Sequence, residues 1–114
     1  MIRQSILTIP VLLLLAACGD VENPKENPGN KEALKEIKKE NKVKEAFLND
    51  ANILYVSVED DGTDRTGYAQ YLCEILHEHH ASCTHVKVVK VGSENDPNAD
   101  NAFGVLLGES DCEW

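Results

Sequence analysis

Apolar positions in the second half of the chain predict two strands separated by a helix, followed by a third strand. Residues 53–58 (ILYVSV) are almost all apolar or β-branched, which is typical of a central strand covered on both faces. In residues 65–80 apolar side chains recur every three or four positions, as on a helix with one buried face. Residues 84–91 mix apolar and charged side chains, and a short apolar run follows at 103–107. We therefore expect strands at 53–58, 84–91 and 103–107 and a helix at 65–80.

This order of elements predicts an α/β fold with a small three-stranded β-α-β-β sheet. A strand, a helix and a second strand form a βαβ unit, whose two strands run parallel through a right-handed crossover. The almost entirely apolar first strand is expected at the centre, which gives the strand order 2-1-3 with the third strand antiparallel. We expect the helix at 65–80 on one face of this sheet and a preceding amphipathic helix on the other.

The segment before the sheet divides into a polar tether and a charged helix. Residues 19–30 (GDVENPKENPGN) contain two prolines and almost no apolar side chain, so residues 18–30 are predicted to be a flexible tether. In residues 31–48 lysines and glutamates surround a thin apolar stripe, which predicts an amphipathic helix. The small α/β domain is then predicted to comprise residues 49–114.

The first eighteen residues have the organisation of a secretory signal peptide. Arg3 supplies a positive start, and residues 6–15 form an apolar stretch that is too short to span a bilayer. The sequence LAAC at 15–18 resembles the lipobox of bacterial lipoproteins, in which the signal is removed directly before a cysteine that receives the lipid. The resemblance implies that residues 1–17 are removed as a signal peptide. It also implies that Cys18 carries the lipid anchor, which includes palmitate.

The implied anchor places the chain in the cell envelope. In Gram-negative lipoproteins an aspartate directly after the lipidated cysteine usually retains the protein in the inner membrane. This chain has Gly19 at that position and its aspartate one residue later, at Asp20. The resemblance therefore favours the outer membrane, with a domain that is periplasmic or exposed at the surface.

The overall charge excludes some partners. The 114 residues contain 20 acidic and 11 basic side chains, a formal net charge of −9. A protein that binds nucleic acid needs a basic face to replace phosphate counterions, so nucleic acid is excluded as a partner. The same balance argues against electrostatic adhesion to anionic lipid headgroups. The expected contact with the membrane is therefore the N-terminal lipid alone.

Three cysteines remain after the lipidated one, in an oxidising compartment where disulfides form. Cys73 and Cys83 are separated by ten residues of mostly helical rise, about 13–15 Å, which is too far for a disulfide. Cys112 must therefore pair with one of them. We expect a Cys83–Cys112 bond, because the second strand begins where an antiparallel third strand ends. A Cys73–Cys112 bond is the alternative, and it would place the tail over the helix.

Acidic side chains follow the first two predicted strands. Parallel strands direct their outgoing loops to the same carboxyl edge of the sheet, where open α/β sheets usually bind ligands. The metal-ligand candidates in these loops are Glu59, Asp60, Asp61, Asp96 and Asp100, and Asp64 and Glu94 extend the same rim. With Arg65 as the expected neighbouring cation, the rim should attract Ca²⁺ or a basic segment of an envelope protein. Alternatively, both loops are simply soluble turns.

Two further motifs suggest chemistry that the chain does not complete. Residues 58–67 (VEDDGTDRTG) resemble the phosphate loop of cysteine-dependent protein phosphatases, but Glu59 occupies the position of the nucleophilic cysteine. A carboxylate cannot make the attack of a thiolate on phosphate. Cys73, His77 and His80 share one helical stripe that could hold a metal ion, or simply place histidines at the negative end of the helix dipole.

The sequence therefore favours a lipid-anchored envelope protein whose small domain is a binding module and not an enzyme, since no nucleophile–base pair can be named. The alternative function is binding of a divalent cation, Ca²⁺ in particular, by the acidic loops or the Cys/His stripe.

Overall fold

The computed structural model describes residues 23–93 and 104–113. A short 3-10 helix, Pro24–Glu26, is followed by α1 (Pro28–Lys38), β1 (Glu45–Leu48), β2 (Ile53–Val58), α2 (Thr66–Glu78), β3 (His85–Lys90) and β4 (Leu106–Asp111). The predicted signal peptide and Cys18 lie outside these residues. Within them, no helix is both long enough and apolar enough to cross a membrane.

The four strands form one mixed sheet in the order β1-β2-β3-β4, which confirms the α/β class. Strands β2 and β3 are parallel, as the βαβ pattern predicts, while β1–β2 and β3–β4 are antiparallel. The predicted three-stranded sheet of order 2-1-3 is wrong. The prediction paired the last strand with β2. In the structure an additional strand, β1, occupies that edge of β2, and the last strand, β4, pairs with β3.

The strand β1 lies inside the stretch that the sequence predicted as one helix over residues 31–48. The helix α1 ends at Lys38, because the apolar residues at helical spacing, Ala33 and Ile37, have no successor at positions 40 and 41. From Glu45 the side chains alternate between exposed and buried, and Lys44 N–H already donates to the Ser57 carbonyl at 2.8 Å. Pairing with β2 therefore overrides the charge pattern of a helix.

The predicted tether at 18–30 is also wrong from Asn23 onward. Asn23 and Asn27 each precede a proline, and each accepts a backbone N–H within the turn that follows, as N-cap residues do. Proline at the first helical position needs no hydrogen-bond donor, so Pro24 and Pro28 begin helices here and do not break them. Asn23, five residues after Cys18, therefore already belongs to the folded domain.

Both helices pack on one face of the sheet, whereas the sequence predicted one on each face. The helices contact each other, α1 contacts β1, and α2 contacts β3 and β4. One core joins Ile37 of α1 and Leu72 of α2 to alternate strand positions such as Val56 and Val88. The opposite face of the sheet carries Tyr55, whose ring stacks on Phe47 with 5.4 Å between centroids.

Two glycines allow the helices to approach their neighbours this closely. A Cβ on Gly29 of α1 would lie 2.5 Å from the His79 carbonyl oxygen at the end of α2. A Cβ on Gly108 of β4 would lie 2.3 Å from the backbone of Arg65, directly before α2. Any side chain at either position would push α2 away from its neighbour.

The buried amide of Asn30 joins three parts of the chain. Its Nδ2 donates to the Pro24 carbonyl (2.8 Å), to Ser82 Oγ (3.0 Å) and to Asn52 Oδ1 (3.2 Å). Its Oδ1 accepts the Cys83 backbone N–H at 3.0 Å. The start of α1, the β1–β2 turn and the loop before β3 are therefore fixed to one side chain.

The disulfide joins Cys73 of α2 to Cys112 after β4, and the predicted Cys83–Cys112 bond is wrong. The predicted backbone neighbourhood does exist, since Cys112 N–H donates to the Thr84 carbonyl. However, the Cys83 side chain is fully buried in the core, with Sγ 3.4 Å from the His85 carbonyl. The bond closes a sequence separation of 39 residues, so chain entropy alone gives a stabilisation of about 4 kcal/mol.

We predict that Asn30→Ala lowers the free energy of unfolding by about 3 kcal/mol, because it leaves the buried Cys83 N–H and the Pro24 carbonyl without their partner. Urea denaturation of the chain without its first 18 residues measures this loss. Asn41→Ala, at an exposed position, is the matched control and should change stability by less than about 0.5 kcal/mol. Equal effects of the two variants would contradict the role assigned to Asn30.

Candidate functional site

The acidic loop between β2 and α2 is shaped by its own carboxylates. Asp60 Oδ1 accepts Gly62 N–H at 2.9 Å, and Asp61 Oδ1 accepts both the backbone N–H (3.0 Å) and the hydroxyl (2.5 Å) of Thr63. Asp64 Oδ1 likewise accepts the N–H and hydroxyl of Thr66 at 2.8 and 2.7 Å. One oxygen of each carboxylate therefore maintains the loop, and Asp64 takes over the N-cap function for α2.

These carboxylates remain exposed, and the pKa values of two of them are lowered. The hydrogen bonds from the Thr63 side chain and backbone lower the pKa of Asp61, and those from Thr66 lower the pKa of Asp64. Glu59 and Asp60 are exposed beside them. The loop over residues 59–64 is called the acidic rim from here on, and it presents four negative charges at the carboxyl end of β2.

A buried arginine contacts both the backbone and a carboxylate of the acidic rim. The Arg65 side chain is about nine-tenths buried, and its Nη2 donates to the Glu59 carbonyl (3.0 Å) and faces Asp61 Oδ2 (3.4 Å). Its backbone N–H donates to the carbonyl of Leu107 in β4. Within the described part of the chain Arg65 Nε is buried without a hydrogen-bond partner. Arg65 therefore connects the rim to the sheet instead of reaching toward solvent.

The rim borders a cleft whose other wall is basic. This cleft, of about 300 Å³, is lined by Arg65, Glu59 and Asp61 and, from the turn before β1, by Lys42 and Lys44. The sequence predicted Arg65 as the cation near the rim, and it predicted residues 31–48 as a helix on the opposite face. The turn that replaces that helix brings two lysines to the rim and weakens its negative field on this side.

The described residues do not test the metal-site prediction. Asp96 and Asp100, like Glu94, lie outside them, so the structure does not test whether the two loops meet. Over residues 23–93 and 104–113, no three His, Cys, Asp or Glu side chains come together as a metal site. Binding of Ca²⁺ by Glu59, Asp60 and Asp61 together with the second loop therefore stays a prediction.

The helical stripe and the phosphatase-like loop take other roles in the structure. Cys73 is oxidised in the disulfide, so its thiolate is not available as a metal ligand in the stripe with His77 and His80. In the loop, Arg65 donates to the main-chain carbonyl of Glu59, at the position where the phosphatases carry their nucleophile. The loop therefore binds its own backbone where the resembling family would bind phosphate.

Burial makes the remaining thiol unreactive. Desolvation raises the pKa of Cys83, against the weaker opposing effect of its contacts with the backbone of His85 and Leu54. A nucleophilic cysteine requires the thiolate, so Cys83 behaves as a small core residue.

A carboxylate pair that sequence analysis did not identify surrounds His85 on β3. His85 Nδ1 contacts Asp111 Oδ1 closely, and Nε2 lies 2.8 Å from Glu109 Oε2. Both acids come from β4, opposite the start of β3 in the antiparallel register. Their spacing of two residues could have indicated that both acids lie on one face of a strand. The predicted third strand at 103–107 ended before them.

The charge of His85 is favoured by these acids. Burial opposes protonation, but the hydrogen bonds to Asp111 and Glu109 outweigh it and raise the pKa of His85 above its ordinary value. Both ring nitrogens can donate only in the imidazolium form. His85 therefore joins β3 to β4 electrostatically when it is protonated.

A second groove lies between α1 and the edge strand β1. It has a volume of about 240 Å³ and is called the α1–β1 groove here. Its lysines and apolar residues include Lys25, Lys31, Lys38, Leu34, Ala46 and Phe47. Its lining combines apolar and basic residues.

In comparisons with known proteins, no family model, no curated protein and no solved structure matches this chain.

We predict that the contribution of His85 to stability depends on pH. Because folding raises the pKa of His85, this contribution is complete below the unfolded pKa of about 6.5 and is lost as pH rises through the folded value. The difference in unfolding free energy between the native chain and His85→Gln should therefore shrink with increasing pH. Urea denaturation from about pH 5 to about pH 9 measures this difference.

The variant Glu109→Gln/Asp111→Asn is the control, because it retains His85 but removes the charges that raise its pKa. It should lose the same pH dependence. A stability difference that stays constant over this range would contradict the role of the imidazolium.

Proposed function

We propose that the chain is a lipid-anchored cell-envelope protein whose small α/β domain is a non-enzymatic binding module. Its partner is a basic segment of another envelope protein, which binds at the acidic rim. The observation that carries this proposal is the conformation of the rim, whose carboxylates are held in place by their own hydrogen bonds before any partner binds. Preorganised charges bind at a lower entropic cost than mobile ones.

The disulfide supports an envelope location. A Cys73–Cys112 bond forms and persists in the periplasm or at the cell surface, and is rare in the reducing cytosol. The lipobox at 15–18 leads to the same compartment by an independent argument. We place the anchor at Cys18 and, because Gly19 follows it, the protein in the outer membrane.

The state of the candidate nucleophiles supports a binding function over catalysis. Cys73 is oxidised, Cys83 is buried with a raised pKa, and the acids around His85 pair with it across two strands. None of these groups combines an accessible nucleophile with a neighbouring base, which is the arrangement that covalent catalysis needs.

We predict that Asp60→Asn/Asp64→Asn weakens binding of a fluorescent decalysine peptide at least about fivefold. Asparagine keeps the Oδ1 acceptor that shapes the loop, so the substitutions remove charge without removing the turn contacts. Fluorescence anisotropy at low ionic strength measures the affinity. Glu74→Gln/Glu78→Gln, exposed on α2, is the control of equal charge and should have a smaller effect.

If both double variants weaken peptide binding equally, the binding depends only on the overall charge of the domain. This result would contradict a site at the rim. If millimolar Ca²⁺ instead raises the melting temperature, and Asp60→Asn/Asp64→Asn removes the rise, the rim binds a divalent cation, which is the alternative function.

We predict that Cys18→Ser abolishes incorporation of labelled palmitate and moves the chain out of the detergent phase on Triton X-114 partitioning. The serine hydroxyl cannot take the thioether-linked diacylglycerol. Cys83→Ser is the control, because it also removes a thiol but leaves the anchor position intact. Palmitate incorporation that persists in Cys18→Ser would contradict the lipid anchor.

A further inference from the structure

The net negative charge conceals a sharp division along the chain. Residues 25–44 contain seven lysines and four glutamates, whereas residues 45–113 contain fourteen acidic and three basic side chains. The basic stretch comprises α1 and the turns on both sides of it. The domain therefore has one basic element on an otherwise acidic body.

Glu36 in α1 and Glu40 after it lie on a different flank from Lys31 and Lys38. Glu36 and Glu40 contact α2, through His79 Nε2 at 2.8 Å and the Tyr71 hydroxyl at 3.1 Å. Lys31 and Lys38 instead line the α1–β1 groove. Spacings of four and three residues place Lys35 on the same flank as these two lysines. The contacts with α2 therefore do not neutralise the positive charges of the lysines on the groove side of α1.

The lysines at the groove are accessible. Lys31 and Lys38 are exposed, and Lys25 and Lys35 have side chains that are 58% and 72% exposed. Lys25 and Lys35 each face one carboxylate at 3.4 Å, Asp50 and Glu32. Exposed pairs of this kind contribute little and exchange readily for another anion. Beside the lysines lie Leu34, Ala46 and Leu48, whose side chains belong to the core on this face of the sheet.

The groove is close to the proposed anchor along the chain. Pro24 and Lys25 line it, and they are the second and third described residues. Only residues 19–22 separate Cys18 from Asn23, a span of about 18 Å at full extension. A lipid inserted through Cys18 therefore keeps the beginning of the domain near the headgroups, at a high effective concentration.

We propose that the α1–β1 groove docks on the anionic headgroups of the membrane that holds the chain's own lipid; this inference rests on the anchor at Cys18 in the proposed function. Lys25, Lys31, Lys35 and Lys38 contact phosphate groups, while the half-buried Leu34 faces the boundary between headgroups and acyl chains. The acidic body is repelled by the same surface, so docking also orients the domain. The acidic rim lies at the opposite end of β2 from the turn bonded to Asn30, and there it stays accessible to a partner.

The test uses the full lipidated chain added to preformed vesicles of phosphatidylcholine, with or without about 30% phosphatidylglycerol. A membrane-impermeant acetylating reagent labels exposed lysines, and mass spectrometry reports each site. We expect labelling of Lys25, Lys31, Lys35 and Lys38 to be at least about threefold slower on the anionic vesicles, and this protection to disappear in high salt. Lys90, exposed at the end of β3, is the internal control and should label equally on both.

A pair of triple variants locates the effect. Lys31→Gln/Lys35→Gln/Lys38→Gln should abolish the protection of Lys25, whereas Lys39→Gln/Lys42→Gln/Lys44→Gln, with the same net charge, should retain it. Equal labelling on both vesicle types, by a chain that still sediments with neutral vesicles, overturns docking and leaves the anchor standing. Failure to sediment with neutral vesicles overturns the anchor and docking with it.

Two other occupants of the groove give different results. If the lysines are protected in isolated cell envelopes but not on anionic vesicles, an acidic protein occupies the groove and lipid docking is wrong. Protection that is equal on neutral and anionic vesicles and insensitive to salt also overturns it, because lipid charge then plays no part.

Discussion

The buried side chain of Asn30 is the constraint on which the arrangement of this domain depends. A buried amide costs free energy unless both its donor and its acceptor are satisfied, and Asn30 satisfies them across a sequence separation of up to 53 residues. The start of α1 is thereby fixed to the turn before β2 and to the loop before β3. Because α1 begins there, it lies along β1 on the same face as α2.

This placement leaves the domain with two layers and separates its charged surfaces. With α1 beside α2, Glu36 and the following Glu40 contact α2 and its end, whereas Lys31 and Lys38 line the groove at β1. The acidic rim lies at the other end of the sheet, where β2 ends and Arg65 supports the loop from below. A basic surface near the proposed anchor and an acidic surface away from it suit a domain that is held at a membrane and binds a partner beyond it.

The covalent and electrostatic contacts of β4 complete the sheet edge. The Cys73–Cys112 bond connects the end of β4 to α2, and His85 joins β3 to Glu109 and Asp111 of β4. Gly108, between these contacts, lets the strand pass against the backbone of Arg65. A sheet of this size has a small core, so cross-links at its last strand add stability that burial alone does not supply.

Local patterns in the sequence were sufficient for the α/β class, the buried strand at 53–58, the helix that follows it and its parallel partner strand. They also placed the acidic rim at the carboxyl end of that strand, because parallel strands and turn-forming residues impose this geometry locally. Tertiary structure decided the rest. Residues 45–48 were predicted as part of the helix over 31–48, but they pair with β2. The open edge of β2 needs a partner strand, and the local pattern of the sequence does not reveal which segment supplies it. The choice of Cys73 over Cys83, and the position of Glu36 against α2 while Lys31 lines the groove, likewise depended on which way side chains face after the elements pack. Neither spacing nor net charge contains that direction.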